Sequence, residues 1–189
     1  MRYHFPTMMA ALAVILSACS DTGPVQPPQV QAPTLAAQER RTEGKRIDIL
    51  DACDPATFNA VLGEGSCTRS GGLRFSRFIE LLTKNGSVES WRFAPSAVEG
   101  RIGQKLLATN RGGEVHTFTE VEKFGGGIVP LLNQLSHNTD VAPECQALAA
   151  DDFLAPGATD SDDEVESGTE LYQCCIHPWM RTVVHGHGG

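Results

Sequence analysis

Residues 172–184 read YQCCIHPWMRTVV, and the choice between the two adjacent cysteines in this stretch decides how the rest of the chain is read. Cys174, His177 and Met180 are spaced Cys-x2-His-x2-Met, so a thiolate, an imidazole and a thioether can converge from one short loop. A soft thiolate with imidazole and a weak axial thioether is the donor set of a blue-copper site, which needs a second histidine from elsewhere. Cys175 has only one residue before His177 and would force a tighter reversal. In an extended strand Tyr172 and Cys174 share one face while Gln173 and Cys175 share the other, so the two cysteines diverge. Cys174 is therefore the expected ligand.

The second histidine is expected on a separate strand. Residues 107–121, LATNRGGEVHTFTEV, offer His116 on an apolar segment just after a glycine-rich turn. With Asn110 six residues before His116, and with Cys174, His177, Pro178, Trp179, Met180 and Arg181 forming a short Cys-x2-His-Pro-aromatic-Met-Arg loop, the sequence resembles a cupredoxin of the plastocyanin and azurin class. Its ligand loop is most similar to that of amicyanin. The resemblance covers roughly residue 91 onward and implies a mainly β, Greek-key sandwich holding one copper ion that cycles between Cu(II) and Cu(I). It further implies His116, Cys174 and His177 as equatorial ligands, Met180 as axial ligand, and Asn110 as a brace of the cysteine loop. The chain departs from that pattern in three places. Cys175 stands where such loops place a hydroxyl residue, the excursion 125–154 is long, and ATDSDDEVE at 158–166 is too polar for the strand usually found before the cysteine strand.

Outward from the two motifs, the segments WRFAP, KLLATN, VHTFTEV, ELYQCC and MRTVV are short, rich in aromatic and branched residues, and separated by Gly, Pro and Asn, the rhythm of a β-sandwich. Two short helices are predicted before them. DPATFNAVLG at 54–63 has an N-cap, a first-turn proline and a closing glycine, while Phe75, Phe78, Ile79 and Leu82 fall at helical spacing ahead of Asn85 and Gly86. Residues 46–90 thus read as a helical, disulfide-containing extension packed on the domain at 91–189, and no chemistry is assigned to the extension. A formal charge of −8 argues against nucleic acid as a partner. Residues 1–18 combine Arg2 with a short apolar stretch, as in an export signal, and Leu16, Ser17, Ala18 and Cys19 resemble the lipobox of bacterial lipoproteins. Residues 19–45, rich in Pro, Gln and Ala, read as a flexible tether. The expected setting is periplasmic or at the cell surface, lipid-anchored at Cys19, with Ser20 favouring the outer membrane where there is one.

Six cysteines remain to be allotted. With Cys19 given to lipid and Cys174 to copper, Cys53, Cys67, Cys145 and Cys175 are left, and four cysteines allow three connectivities. Proximity favours Cys53 with Cys67, which leaves Cys145 with Cys175, and a vicinal Cys174–Cys175 bridge is the rival. His137 reads as a surface-loop residue, His185 and His187 as part of a frayed end, and the acidic run 160–166 as a solvated loop. No base is paired with a nucleophile, so an enzyme is the least expected class. The expected function is extracytoplasmic one-electron transfer to a transient redox-protein partner docking at an apolar rim of Pro178 and Trp179, through which His177 reaches toward the surface. The alternative is a lipoprotein that buffers or passes on copper without electron transfer.

Overall fold

The computed structural model describes residues 43–69 and 71–188. The expected signal segment, Cys19 and the tether as far as residue 42 lie outside the described residues. The fold is a mainly β sandwich of two four-stranded sheets. In the first, β2 (Arg92–Ala94), β1 (Lys45–Leu50), β4 (Leu106–Asn110) and β8 (Thr159–Asp160) lie in that order. In the second the order is β3 (Ala97–Arg101), β10 (Arg181–His187), β9 (Gly168–Gln173) and β6 (Thr119–Val121). A two-stranded ribbon of β5 (His116–Thr117) and β7 (Phe153–Leu154) completes the β structure. The β1–β4 and β3–β10 pairs are parallel and the other pairs antiparallel.

Alternation along each strand builds the core. Ile47 and Ile49 of β1, Phe93 of β2, and Leu106 and Ala108 of β4 are buried from the first sheet. Val98 of β3, Tyr172 of β9 and Val184 of β10 are buried from the second and join the same cluster. Phe118 stacks on Tyr172 with ring centroids 4.4 Å apart and meets Phe93 edge-on at 5.5 Å. Strand β1, which sequence reading put in the N-terminal extension, is thus a central strand of the first sheet. The expectation of a boundary at residue 90 missed it because a single Ile-x-Ile alternation beside a polar tether is a weak strand signal.

Both predicted helices are present as α1 (Pro55–Leu62) and α2 (Phe75–Asn85). The carboxylate of Asp54 accepts from the Thr57 amide at the start of α1, and Gly86 ends α2 in the left-handed region at φ 69°. Their aromatic faces converge on two tryptophans. The Phe78 ring lies 4.7 Å from that of Trp91 and 6.0 Å from that of Trp179, and Phe58 stacks on Trp91 at 5.8 Å. The excursion 125–154 forms a third helix, α3 (Pro130–Leu135), and two 3-10 turns, and Cys145–Cys175 ties it to the end of β9. Cys53–Cys67 closes the loop around α1, so both favoured bridges are present and Cys174 is the free thiol among the described residues.

Two further expectations are corrected here. The polar stretch 158–166 does supply a strand, the two-residue edge β8. His185 and His187 do not fray but lie in β10, paired with both β3 and β9. β10 is an interior strand of the second sheet, so its end is held from both sides by β3 and β9.

Candidate metal centre

The site lies where the ribbon β5–β7 meets the end of β9. Beyond β9 the chain turns through a tight loop closed by two backbone hydrogen bonds: the Met180 amide donates to the His177 carbonyl (2.9 Å) and the Cys174 amide to the Met180 carbonyl (3.0 Å). This folds Cys174, His177 and Met180 onto one side, and all three are buried. His116, wholly buried on β5, faces them from the other strand. One donor atom from each of His116, Cys174 and His177 lies within 4.8 Å of the others. Met180 shares the buried core cluster with Cys174.

The spacing suits a metal of copper or zinc size. Cys174 Sγ is 3.7 Å from His116 Nδ1 and 3.8 Å from His177 Nδ1. Metal–nitrogen and metal–thiolate bonds of about 2.0–2.3 Å meeting at about 120° place sulfur and nitrogen about 3.8 Å apart. The residues present therefore fit a trigonal site of two imidazole nitrogens and one thiolate sulfur. Two backbone amides, those of Thr117 and His177, point at Cys174 Sγ from 3.5 Å each. Burial alone would raise the pKa of this thiol, but the imidazoles of His116 and His177 overcome it and hold it well below the ordinary 9.0. Cys174 is accordingly poised as a thiolate.

Behind His116 stands a residue to which sequence reading gave no role. Asp51, one residue beyond β1, accepts from His116 Nε2 at 2.9 Å. Its two oxygens also accept from the backbone amides of Cys53, Gly113 and Glu114 at 2.8–3.2 Å. Burial would raise the Asp51 pKa, but the His116 contact and the Glu114 and Gly113 amides together hold it at about 2. In the metal-free protein burial disfavours a charged His116, yet Asp51 and Cys174 prevail and lift its pKa to about 9. His177 has a looser carboxylate neighbour: Glu114 Oε2 lies 3.7 Å from His177 Nε2 and accepts from Trp91 Nε1 at 2.6 Å. Burial raises the Glu114 pKa against the pull of His177 and Trp91.

Similar solved structures bear copper-protein names. A purple cupredoxin from Nitrosopumilus maritimus is 15% identical over 76% of this chain and 99% of its own, with a TM-score of 0.43. An oxidised plastocyanin from Dryopteris crassirhizoma is 12% identical over 75% and 99%, with a TM-score of 0.38. A reduced amicyanin variant is 21% identical over 49% and 70%, with a TM-score of 0.31. No protein-family model and no curated protein matches the chain. The sandwich and the donor cluster described above rest on the chain's own residues.

The surroundings of the site differ from expectation in two respects. Asn110 does not brace the cysteine loop. Its amide nitrogen donates to the carbonyls of Glu114 and Leu154 (2.8 Å each) and its oxygen accepts from Gly112, so it braces the turn before His116 and the strand opposite it. The cysteine loop is held instead by Thr117, whose hydroxyl accepts from the Cys175 amide at 2.8 Å. The hydroxyl that the family pattern places after the cysteine is thus supplied from the histidine strand, a swap foreshadowed only by a Thr directly following His116. Nor do Pro178 and Trp179 form an exposed rim. Pro178 is buried, Trp179 is half-buried against Phe78, and His177 is 3% exposed. The residues of α1 and α2 cover that side, and an apolar groove of about 370 Å³ opens beside His177, walled by Leu62, Ile79, Val115, Leu131 and Ile176. His137 is exposed on its loop, as expected.

Proposed function

We propose that the chain is a type 1 copper protein that carries single electrons in an oxidising, extracytoplasmic compartment. The observation that carries this reading is the buried His116–Cys174–His177 cluster with its 3.7 and 3.8 Å donor separations. Copper, when bound, supplies a one-electron Cu(II)/Cu(I) couple. His116 from β5 and Cys174, His177 and Met180 from the loop after β9 would hold the ion, in a site already assembled in the metal-free chain. The second reading, a protein that passes copper on, calls for an exposed and exchangeable site, whereas each donor residue here is buried. The two disulfides support an oxidising compartment.

A transient redox-protein partner belongs to the same proposal. Its approach is over the apolar groove beside His177, where Leu62 and Leu131 are 52% and 56% exposed. Trp179 has its ring 5.5 Å from that of His177 but does not wall the groove, so the docking role expected of Pro178 and Trp179 passes to the groove residues. The lipid anchor at Cys19 is likewise proposed, and mass spectrometry of the mature N-terminus tests it: an acylated Cys19 supports it and a chain beginning elsewhere refutes it.

The visible spectrum of the copper-loaded chain tests the central reading. The expected result is one Cu(II) per chain with an intense thiolate-to-copper band that Cys174→Ser abolishes and Cys175→Ser spares. Retention of the band in Cys174→Ser would reject it. Reversible one-electron voltammetry without metal loss separates the carrier from the copper handler, for which rapid loss of Cu(I) to a modest chelator is expected.

A further inference from the structure

Among the described residues, every polar partner of the Asp51 carboxylate is a donor. Oδ1 accepts from the Cys53 and Gly113 amides, and Oδ2 from the Gly113 and Glu114 amides and from His116 Nε2. Backbone amides cannot reverse their role, so the carboxylate is confined to accepting and the imidazole nitrogen facing it must be the one that bears hydrogen. In the neutral ring that a metal ion requires, Nδ1 is then the nitrogen with a free lone pair, and Nδ1 is the atom turned toward Cys174 Sγ. The turn is shaped around this contact: a Cβ on Gly112 would stand 1.9 Å from Asp51 Oδ2, and one on Gly113 would stand 2.7 Å from Cys53 Sγ. The disulfide Cys53–Cys67 further ties down the segment just after Asp51.

We propose that Asp51 is the positioning residue of the metal centre: it fixes His116 in the Nδ1-donating tautomer and, through its buried negative charge, biases a bound copper toward the oxidised state. This rests on the copper reading. A carboxylate that accepts from the far nitrogen of a metal-bound imidazole orients the ring and makes it a stronger donor. A fixed negative charge favours the more highly charged ion of a couple, and does so more strongly where water is excluded. Glu114 holds a weaker version of the same place behind His177, because 3.7 Å is too long for a hydrogen bond and its oxygen is already engaged by Trp91. The two histidines are therefore unequal, His116 being the anchored donor and His177 the less constrained one.

Two measurements on the full chain test the proposal. In the Zn(II)-loaded wild type, which has no redox chemistry, long-range proton–nitrogen correlation should place the His116 ring proton on Nε2, slow to exchange with water. A proton on Nδ1, or a freely exchanging one, overturns the assignment without reference to copper. In the copper-loaded chain, Asp51→Asn should raise the reduction potential while the visible band persists, and Asp51→Glu should restore a value closer to wild type. An unchanged or lowered potential in Asp51→Asn overturns the electrostatic role. If Asp51→Asn does not fold, the wild-type zinc spectrum decides alone. A wild type that shows the Nε2 proton with zinc but no visible band with copper would sink the copper reading and leave the positioning role standing. Binding of neither ion would sink both.

Discussion

Thr117 does two things at once through different atoms. Its backbone amide points at Cys174 Sγ while its hydroxyl accepts from the Cys175 amide, so one residue on the histidine strand touches both the thiol and the backbone of the cysteine loop. Thr117→Val keeps the first contact and removes the second, leaving a buried amide without a partner. A stability loss of about 1–3 kcal/mol is expected in denaturant unfolding of the disulfide-intact protein. A loss within experimental error would mean that the hydroxyl does not hold the loop. The ligand-type residues were legible in the sequence because copper demands unusual side chains at tight spacing, and Cys174, His177 and Met180 carry that demand within seven residues. Asp51 was not legible. A lone aspartate has no local signature, and its histidine partner lies 65 residues further along the chain.

At the level of elements, the glycine pair between β4 and β5 and the bridge at the end of β9 are the two joints of the site. Gly112→Ala would push a methyl group into the Asp51 carboxylate, and the expected result is destabilisation by about 1–3 kcal/mol together with weakened metal affinity, read by calorimetric titration with Zn(II). Unchanged affinity would show that Asp51 can move without disturbing His116. Removing the other joint with Cys145→Ser and Cys175→Ser together opens a loop of sequence separation 30 and should cost about 2–4 kcal/mol in thermal or denaturant unfolding. The helices α1 and α2 could be read in advance from caps and periodicity, since Asp54, Pro55, Gly63 and Gly86 are local signals. β8 and β1 could not. A two-residue edge in an acidic run and a strand flanked by polar tether gain their order from neighbours far away in sequence, which no local pattern encodes.

For the molecule as a whole, negative charge gathers at the β8 edge. Burial, with Asp160, Glu120 and Glu170 nearby, lifts the pKa of Asp163 from 3.8 to about 6. The folded state therefore binds this proton more tightly than the unfolded chain, so the stabilisation on this account is fully present below pH 3.8 and is lost as the pH rises through about 6. Asp163→Asn should flatten that slope and, after allowance for solvent screening of a half-exposed group, add about 1 kcal/mol at pH 7. A variant with the wild-type slope would assign the slope elsewhere. Oxidation during folding raises a separate matter. Cys145 has two chemically identical neighbours to choose between, and the pleat at the end of β9 separates them: Cys174 enters the core between the sheets, while Cys175 joins Cys145, Val121 and Ala142 in a small cluster of its own. A chain oxidised before β9 has paired could join Cys145 to Cys174 and lock the metal donor out of use. Where strand pairing comes before bridge formation, the odd-or-even parity of a single position proofreads the thiol chemistry of the whole protein.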